Sequence, residues 1–153
     1  MDENLNYVEI IKQVFINNNW NFTTKDREKE TLFNVPMASK YLPMLDVKFI
    51  VNSIGDCKIR CYLTRNTHYS KRAAILEVIN TLNSNYRFIT VSLDSDGDVL
   101  ASYDFTIFGS ATVADKQVET MIYLVSDIID KCVPAIMKVI WQDGDDLIPK
   151  KFN

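Results

Sequence analysis

From Val118 to Ile140 the apolar residues Val118, Met121, Ile122, Val125, Ile128, Ile129, Cys132, Ile136 and Ile140 recur at three- and four-residue spacing. That period puts them on one side of a helix. Over roughly 25 residues such a helix is about 40 Å long at 1.5 Å per residue. Thr112-Val113-Ala114-Asp115 just before it reads as a capping box, a hydroxyl followed three residues later by an acid. Pro134 cannot donate to the carbonyl four residues back, so a bend is expected near Asp130 to Pro134. A long one-sided helix has to lie on something equally broad and apolar, and the upstream sequence supplies strands.

Between Trp20 and Arg65, β-branched and aromatic residues alternate with polar ones in four candidate strands, "WNFTTK", "TLFNVPMAS", "LDVKFIVNSI" and "CKIRCYLTR". The first is the weakest pattern, leaving three or four strands in this half. The third and fourth should pair as a hairpin through "IGDC", with Val47, Phe49 and Val51 on one face and Cys57, Ile59, Cys61 and Leu63 on the matching face of the partner. Leu5 to Ile16 has helical spacing and ends at "NNN" 17–19. Ser70 reads as the N-cap of a helix carrying Ala74, Ile75, Val78, Ile79 and Leu82, stopped by "NSN" at 83–85. "YRFITVSL" and "DVLASYDFTIF" follow as two more strands. The order is α-β-β-β(-β)-α-β-β-α, an α+β fold with helices packed on an antiparallel sheet. The 153 residues suit one domain, 1–141, with the polar 142–153 a flexible C-terminal tail.

Composition narrows the function. With 47% apolar and 24% charged residues the chain is an ordinary globular one, and its net charge of −3 argues against nucleic acid or an anionic membrane as partner. The N-terminus lacks a signal-peptide pattern and no apolar run approaches the roughly 20 residues of a membrane span, so a cytoplasmic location is expected. Three cysteines, Cys57, Cys61 and Cys132, are an odd number without paired spacing and read as buried free thiols.

The stretch Asp94-Ser95-Asp96-Gly97-Asp98 invites a calcium reading. An EF-hand loop, however, needs glycine sixth and glutamate twelfth, whereas here glycine is fourth and Phe105 is twelfth. Asp-Gly between alternating segments is a tight hairpin turn. Its acids are solvated and poor candidates for acid–base work, and Asp104 reads as a solvent-facing strand position. Cys57 and Cys61, about 13 Å apart at ~3.3 Å per residue, are too distant to share a zinc. His68, the only histidine, falls in an exposed loop. No P-loop, dinucleotide glycine pattern, HExxH or G-x-S-x-G is present. No catalytic, cofactor-binding or metal-ligating residue is therefore assigned, and no cofactor is implied. Lys58, Arg60, Arg65, Lys71 and Arg72 could form a modest basic area, and Trp20, Tyr41, Tyr62, Tyr69 and Trp141 are the aromatics to inspect at the surface.

The run "ILEVINTLNSNYRFITVSLDSDGDVLASYDF", with its Asn80-x-x-Asn83 helix end, acidic-glycine turn and following amphipathic helix, resembles the YbjN-like family of small bacterial proteins over Ile75 to Trp141. That resemblance implies a fold similar to type III secretion chaperones and a non-enzymatic, sensory or regulatory role. It also implies binding of an extended protein segment, commonly as a homodimer, and a sheet with helices on one side leaves its other face, an edge or an apolar groove available for that contact. The partner's identity is left open. The rival reading is a small enzyme or ligand-binding domain with a pocket between the sheet and the last helix, which would require converging ionisable groups such as His68, Tyr69 and carboxylates.

Overall fold

The computed structural model describes residues 5–142. The remainder of the tail, 143–153, lies outside the described residues. In chain order the elements are α1 (Tyr7–Asn17), β1 (Thr23–Asp26), β2 (Glu30–Met37), β3 (Leu45–Asn52), β4 (Asp56–Thr64), a 3-10 turn (Tyr69–Lys71), α2 (Arg72–Asn85), β5 (Thr90–Leu93), β6 (Val99–Thr106) and α3 (Ala111–Trp141). The strands form one antiparallel sheet in the order β1-β2-β3-β4-β6-β5. The fold is α+β, and the N-terminal half has four strands.

Period-two burial explains the sheet. Leu45, Val47, Phe49 and Val51 of β3 are buried beside Cys57, Ile59, Cys61 and Leu63 of β4, in the register Val47↔Cys61, Phe49↔Ile59 and Val51↔Cys57. Onto that face pack Ile11, Val14 and Phe15 of α1, Ile75, Ile79 and Leu82 of α2, and the stripe of α3, all in one core. The opposite face carries the row Asn34, Lys48, Arg60, Ser102 and Thr90 across five strands. The β3–β4 turn needs Gly55: its φ is 88°, and a Cβ there would lie 2.7 Å from the Ile107 carbonyl oxygen. The same glycine accepts the Ile107 N–H at 2.8 Å, tying the turn to the end of β6.

Both helix starts differ from the sequence reading. Ser70 does not cap α2. It lies within the 3-10 turn, where His68 Nδ1 accepts the Ser70 N–H at 3.3 Å and sits 2.8 Å from its hydroxyl. The residue before α2 is Lys71, which makes no side-chain cap. Nor does Thr112 form a capping box, because α3 begins at Ala111 and Thr112 lies in its first turn. The anchor is Gln117, whose amide donates to the Thr106 carbonyl at 2.9 Å and accepts the Phe108 N–H at 3.4 Å. Of "YRFITVSL" only Thr90–Leu93 is strand. α3 continues through Pro134, and the Asp130 carboxylate accepts the Ser39 hydroxyl at 2.6 Å and the Lys40 N–H at 3.3 Å, fastening the β2–β3 loop to the helix.

β5 is an edge strand, and its outer side is met by Asn83. The Asn83 side chain accepts the Val91 N–H at 2.8 Å and donates to the Val91 carbonyl at 3.0 Å, doing for that residue what a neighbouring strand would do. Asn83→Ala is expected to destabilise the protein by about 1–3 kcal/mol in urea unfolding, because both groups of buried Val91 lose their partner. Asn83→Asp, which keeps the acceptor and loses the donor, should fall between.

The three thiols are buried and free. Burial pushes Cys61 up to about 12 and Cys132 up to about 11, and pushes Cys57 up further, with Asp56 beside Cys57 and Asp46 beside Cys61 adding to the effect. An unfolded thiol ionises near pH 8.5. The unfolded chain therefore releases its thiol protons first, and the thiols' contribution to stability, complete below about pH 8.5, is lost as pH rises through the folded values. Stability measured for wild type and Cys132→Ala between about pH 8 and 11 should show the variant's deficit shrinking as pH rises.

Candidate functional site

The aspartate cluster is a knitted turn. Asp94 Oδ1 accepts the N–H groups of Asp96 and Asp98, each at 2.9 Å, and Gly97 takes φ 84° at a point where a Cβ would meet the Thr67 carbonyl at 2.6 Å. Asp98 Oδ1 accepts the Asn66 N–H at 2.8 Å, and the Gly97 carbonyl accepts the Thr67 N–H at 2.9 Å. These bonds hold the β5–β6 turn against the β4–α2 connection. Among the described residues no group of three or more His, Cys, Asp or Glu is placed to hold a metal ion.

Between these two loops lies a small cavity of about 150 Å³, lined by Thr67, His68, Tyr69 and Arg72 on one side and Leu93, Ser95, Asp96 and Gly97 on the other. The structure thus brings His68, Tyr69 and a carboxylate to one place. Arg72 is already engaged, donating to the Asp94 carbonyl at 2.8 Å. The Thr67 hydroxyl oxygen is buried without a hydrogen-bond partner.

The five basic residues named from the sequence do not form one patch. Lys58 lies 3.7 Å from Glu30, Arg60 pairs with Asp104, and Arg65 lies 3.9 Å from Asp98 with its guanidinium 3.8 Å over the Tyr62 ring. Lys71 donates to the Gln142 carbonyl. Each cation is thereby tied to an acceptor, Lys58 and Arg60 on the open sheet face, Arg65 and Arg72 at the β5–β6 turn and Lys71 at the end of α3.

Of the five aromatics, Tyr41, Tyr69 and Trp141 are exposed, whereas Tyr62 is half-buried and Trp20 packs on Phe15 and Tyr123. The sequence reading missed a different apolar surface, where Ile54 is 69% exposed, Phe108 65% and Val113 48%. Their segments meet: Gly55, next to Ile54, accepts the N–H of Ile107, next to Phe108, and a Cβ on Gly109 would touch the Val113 side chain at 3.2 Å. Beside them runs a groove of about 580 Å³ between α1 and the first turns of α3. Leu5, Ile10 and Ala111 supply its apolar wall, Glu9 and Asp115 its charge, and Asn6, Gln13, Asn17 and Thr112 its uncharged polar groups. The α1 residues recur every three or four positions, a second face of the helix turned away from its core face, so the signal was present in the period but hidden by polar residues.

The chain was compared with known families, curated proteins and solved structures. It matches the model of the YbjN family, described as "Putative bacterial sensory transduction regulator", over residues 47–138. None of the curated proteins matches it in sequence. The crystal structure of YbjN from E. coli, titled a putative transcription regulator, is similar with a TM-score of 0.52 at 8% identity, covering 81% of this chain and 89% of that one. At that identity the likeness is one of fold. No helix among the described residues is long and apolar enough to cross a membrane. The family match runs from β3 through most of α3, taking in the hairpin, the Asn83 clamp, the aspartate turn and the long helix, and on that match the chain belongs to the YbjN family.

Proposed function

We propose that this protein is a non-enzymatic regulatory module that works by binding another protein, as a chaperone-like adaptor. The observation that carries this reading is the apolar surface of Ile54, Phe108 and Val113 beside the α1–α3 groove. Large apolar side chains grouped at one end of a domain cost solubility and favour a partner that covers them. The regulator descriptions of the family and of its E. coli member are consistent with it. A homodimer is the simplest assembly by which such a module doubles its binding surface.

A second reading, binding of a small ligand, is favoured by the cavity that gathers His68, Tyr69 and Asp96. At about 150 Å³ it is below the 300–1,000 Å³ common for ligand pockets. This makes protein binding the better-supported reading.

The test is affinity capture from native extract with wild type and with a Phe108→Ser/Val113→Ser variant, alongside light scattering for assembly size. Both positions are exposed, so folding should be unaffected. The expected result is a defined protein retained by wild type and reduced at least about tenfold by the variant, a loss of about 1.4 kcal/mol. Equal retention by both, or recovery of a small molecule whose binding is lost in Arg72→Ala, would reverse the ranking.

A further inference from the structure

The groove's chemistry says more about its occupant than the apolar surface does. It runs along α1 from Asn6 to Asn17, about 16 Å or three helical turns. Both walls are helical, so it is shaped for a third helix laid between them rather than for a strand, which would need an open edge. Its apolar lining is Leu5, Ile10 and Ala111, and the small Ala111 leaves room for a large incoming side chain. Its two charged lining residues, Glu9 and Asp115, come from opposite walls and are both acidic. Lys12 lies 3.9 Å from Glu9 in an exposed pair and does not line the groove. The other Glu9 oxygen accepts the Gln13 side-chain N–H at 3.0 Å, and exposed contacts of this kind are weak enough to be exchanged for a better partner.

We propose that this groove takes a cationic amphipathic helix of about three turns from a partner protein, its apolar stripe on Ile10 and Ala111 and its Lys or Arg side chains on Glu9 and Asp115. This deepens the protein-binding reading and rests on it. Charge disfavours the other occupants at hand. The chain's own first residues carry Asp2 and Glu3, of the same sign as the groove, and a second copy brings a net charge of −3.

The test uses two synthetic helical peptides of equal length and Leu spacing, one with Lys and one with Glu at the polar positions, titrated by fluorescence anisotropy. Wild type should bind the Lys peptide at least about tenfold more tightly than the Glu peptide, and less so as salt rises. Glu9→Lys/Asp115→Lys should invert that preference. Glu77→Lys/Asp127→Lys, the same change in net charge at exposed positions elsewhere, should leave it intact. Ala111→Trp, and independently Gln13→Trp on the other wall, should abolish binding of the Lys peptide while the circular dichroism spectrum stays that of wild type.

Equal binding of both peptides overturns the proposal. So does a preference that follows net charge in both double variants, or a dimer in light scattering that Ala111→Trp dissociates. If a native protein is still captured by Ala111→Trp and is lost only in Phe108→Ser/Val113→Ser, the groove proposal fails and the protein-binding reading stands. Loss of capture in neither variant removes both.

Discussion

Phe15 joins the two layers of this molecule. Fully buried on α1, its ring lies 5.4 Å from Phe22 and from Phe33, 5.8 Å from Trp20 and 5.9 Å from Phe49, with the Phe33 and Phe49 contacts edge-on. Edge-to-face pairs contribute about 0.5–1.5 kcal/mol each beyond simple burial. Two such pairs and two tilted ring contacts fix not only where α1 sits but how it is rotated. That rotation places Ile11 and Val14 inward and sends Asn6, Glu9, Ile10 and Gln13 toward α3, so the groove between the helices is a by-product of how one aromatic ring is seated.

Covering one face of a sheet with three helices leaves an asymmetric protein. The helix side is an apolar core without a buried polar or charged residue among those described. The other side is a lattice of paired charges, Arg60 with Asp104 and Lys58 with Glu30, where Lys48 lies 5.5 Å over Tyr62. Exposed pairs of this kind contribute little to stability. They do keep the uncovered face wet and discourage sheet-to-sheet association. Ile54, Phe108 and Val113 expose apolar side chains where the helices and turns meet.

Much of this could be read from the residues. The β3–β4 hairpin, its register and the faces of Val47, Phe49, Val51, Cys57, Ile59, Cys61 and Leu63 follow from alternation and Gly55, and the stripe of α3 follows from its period. These are local patterns repeated until they are unambiguous. The helix starts were misread because other side chains set them: His68 caps a 3-10 turn by accepting the Ser70 N–H, which puts Ser70 inside that turn, and Gln117 reaches back across the β6–α3 turn. The C-terminal half of "YRFITVSL" is strand, but Tyr86–Ile89 leaves the ladder, with Phe88 packed edge-on against Tyr103 at 5.9 Å instead. Of the groove only the α1 side had a trace in the sequence, the three- and four-residue recurrence of Asn6, Glu9, Gln13 and Asn17, whereas the groove itself depends on the side-by-side placement of two helices almost a hundred residues apart in sequence.

The Asn83 clamp ties the fate of β5 to a helix. In an ordinary edge strand the outward N–H exchanges with solvent freely while the inner ladder protects the rest. Here the Val91 amide is held from α2, and Leu82, one residue before the clamp, is itself buried in the core. Unwinding the last turn of α2 therefore uncovers the strand edge in the same step, making α2 and β5 a single opening unit whose exchange with solvent is set by the helix rather than by the sheet.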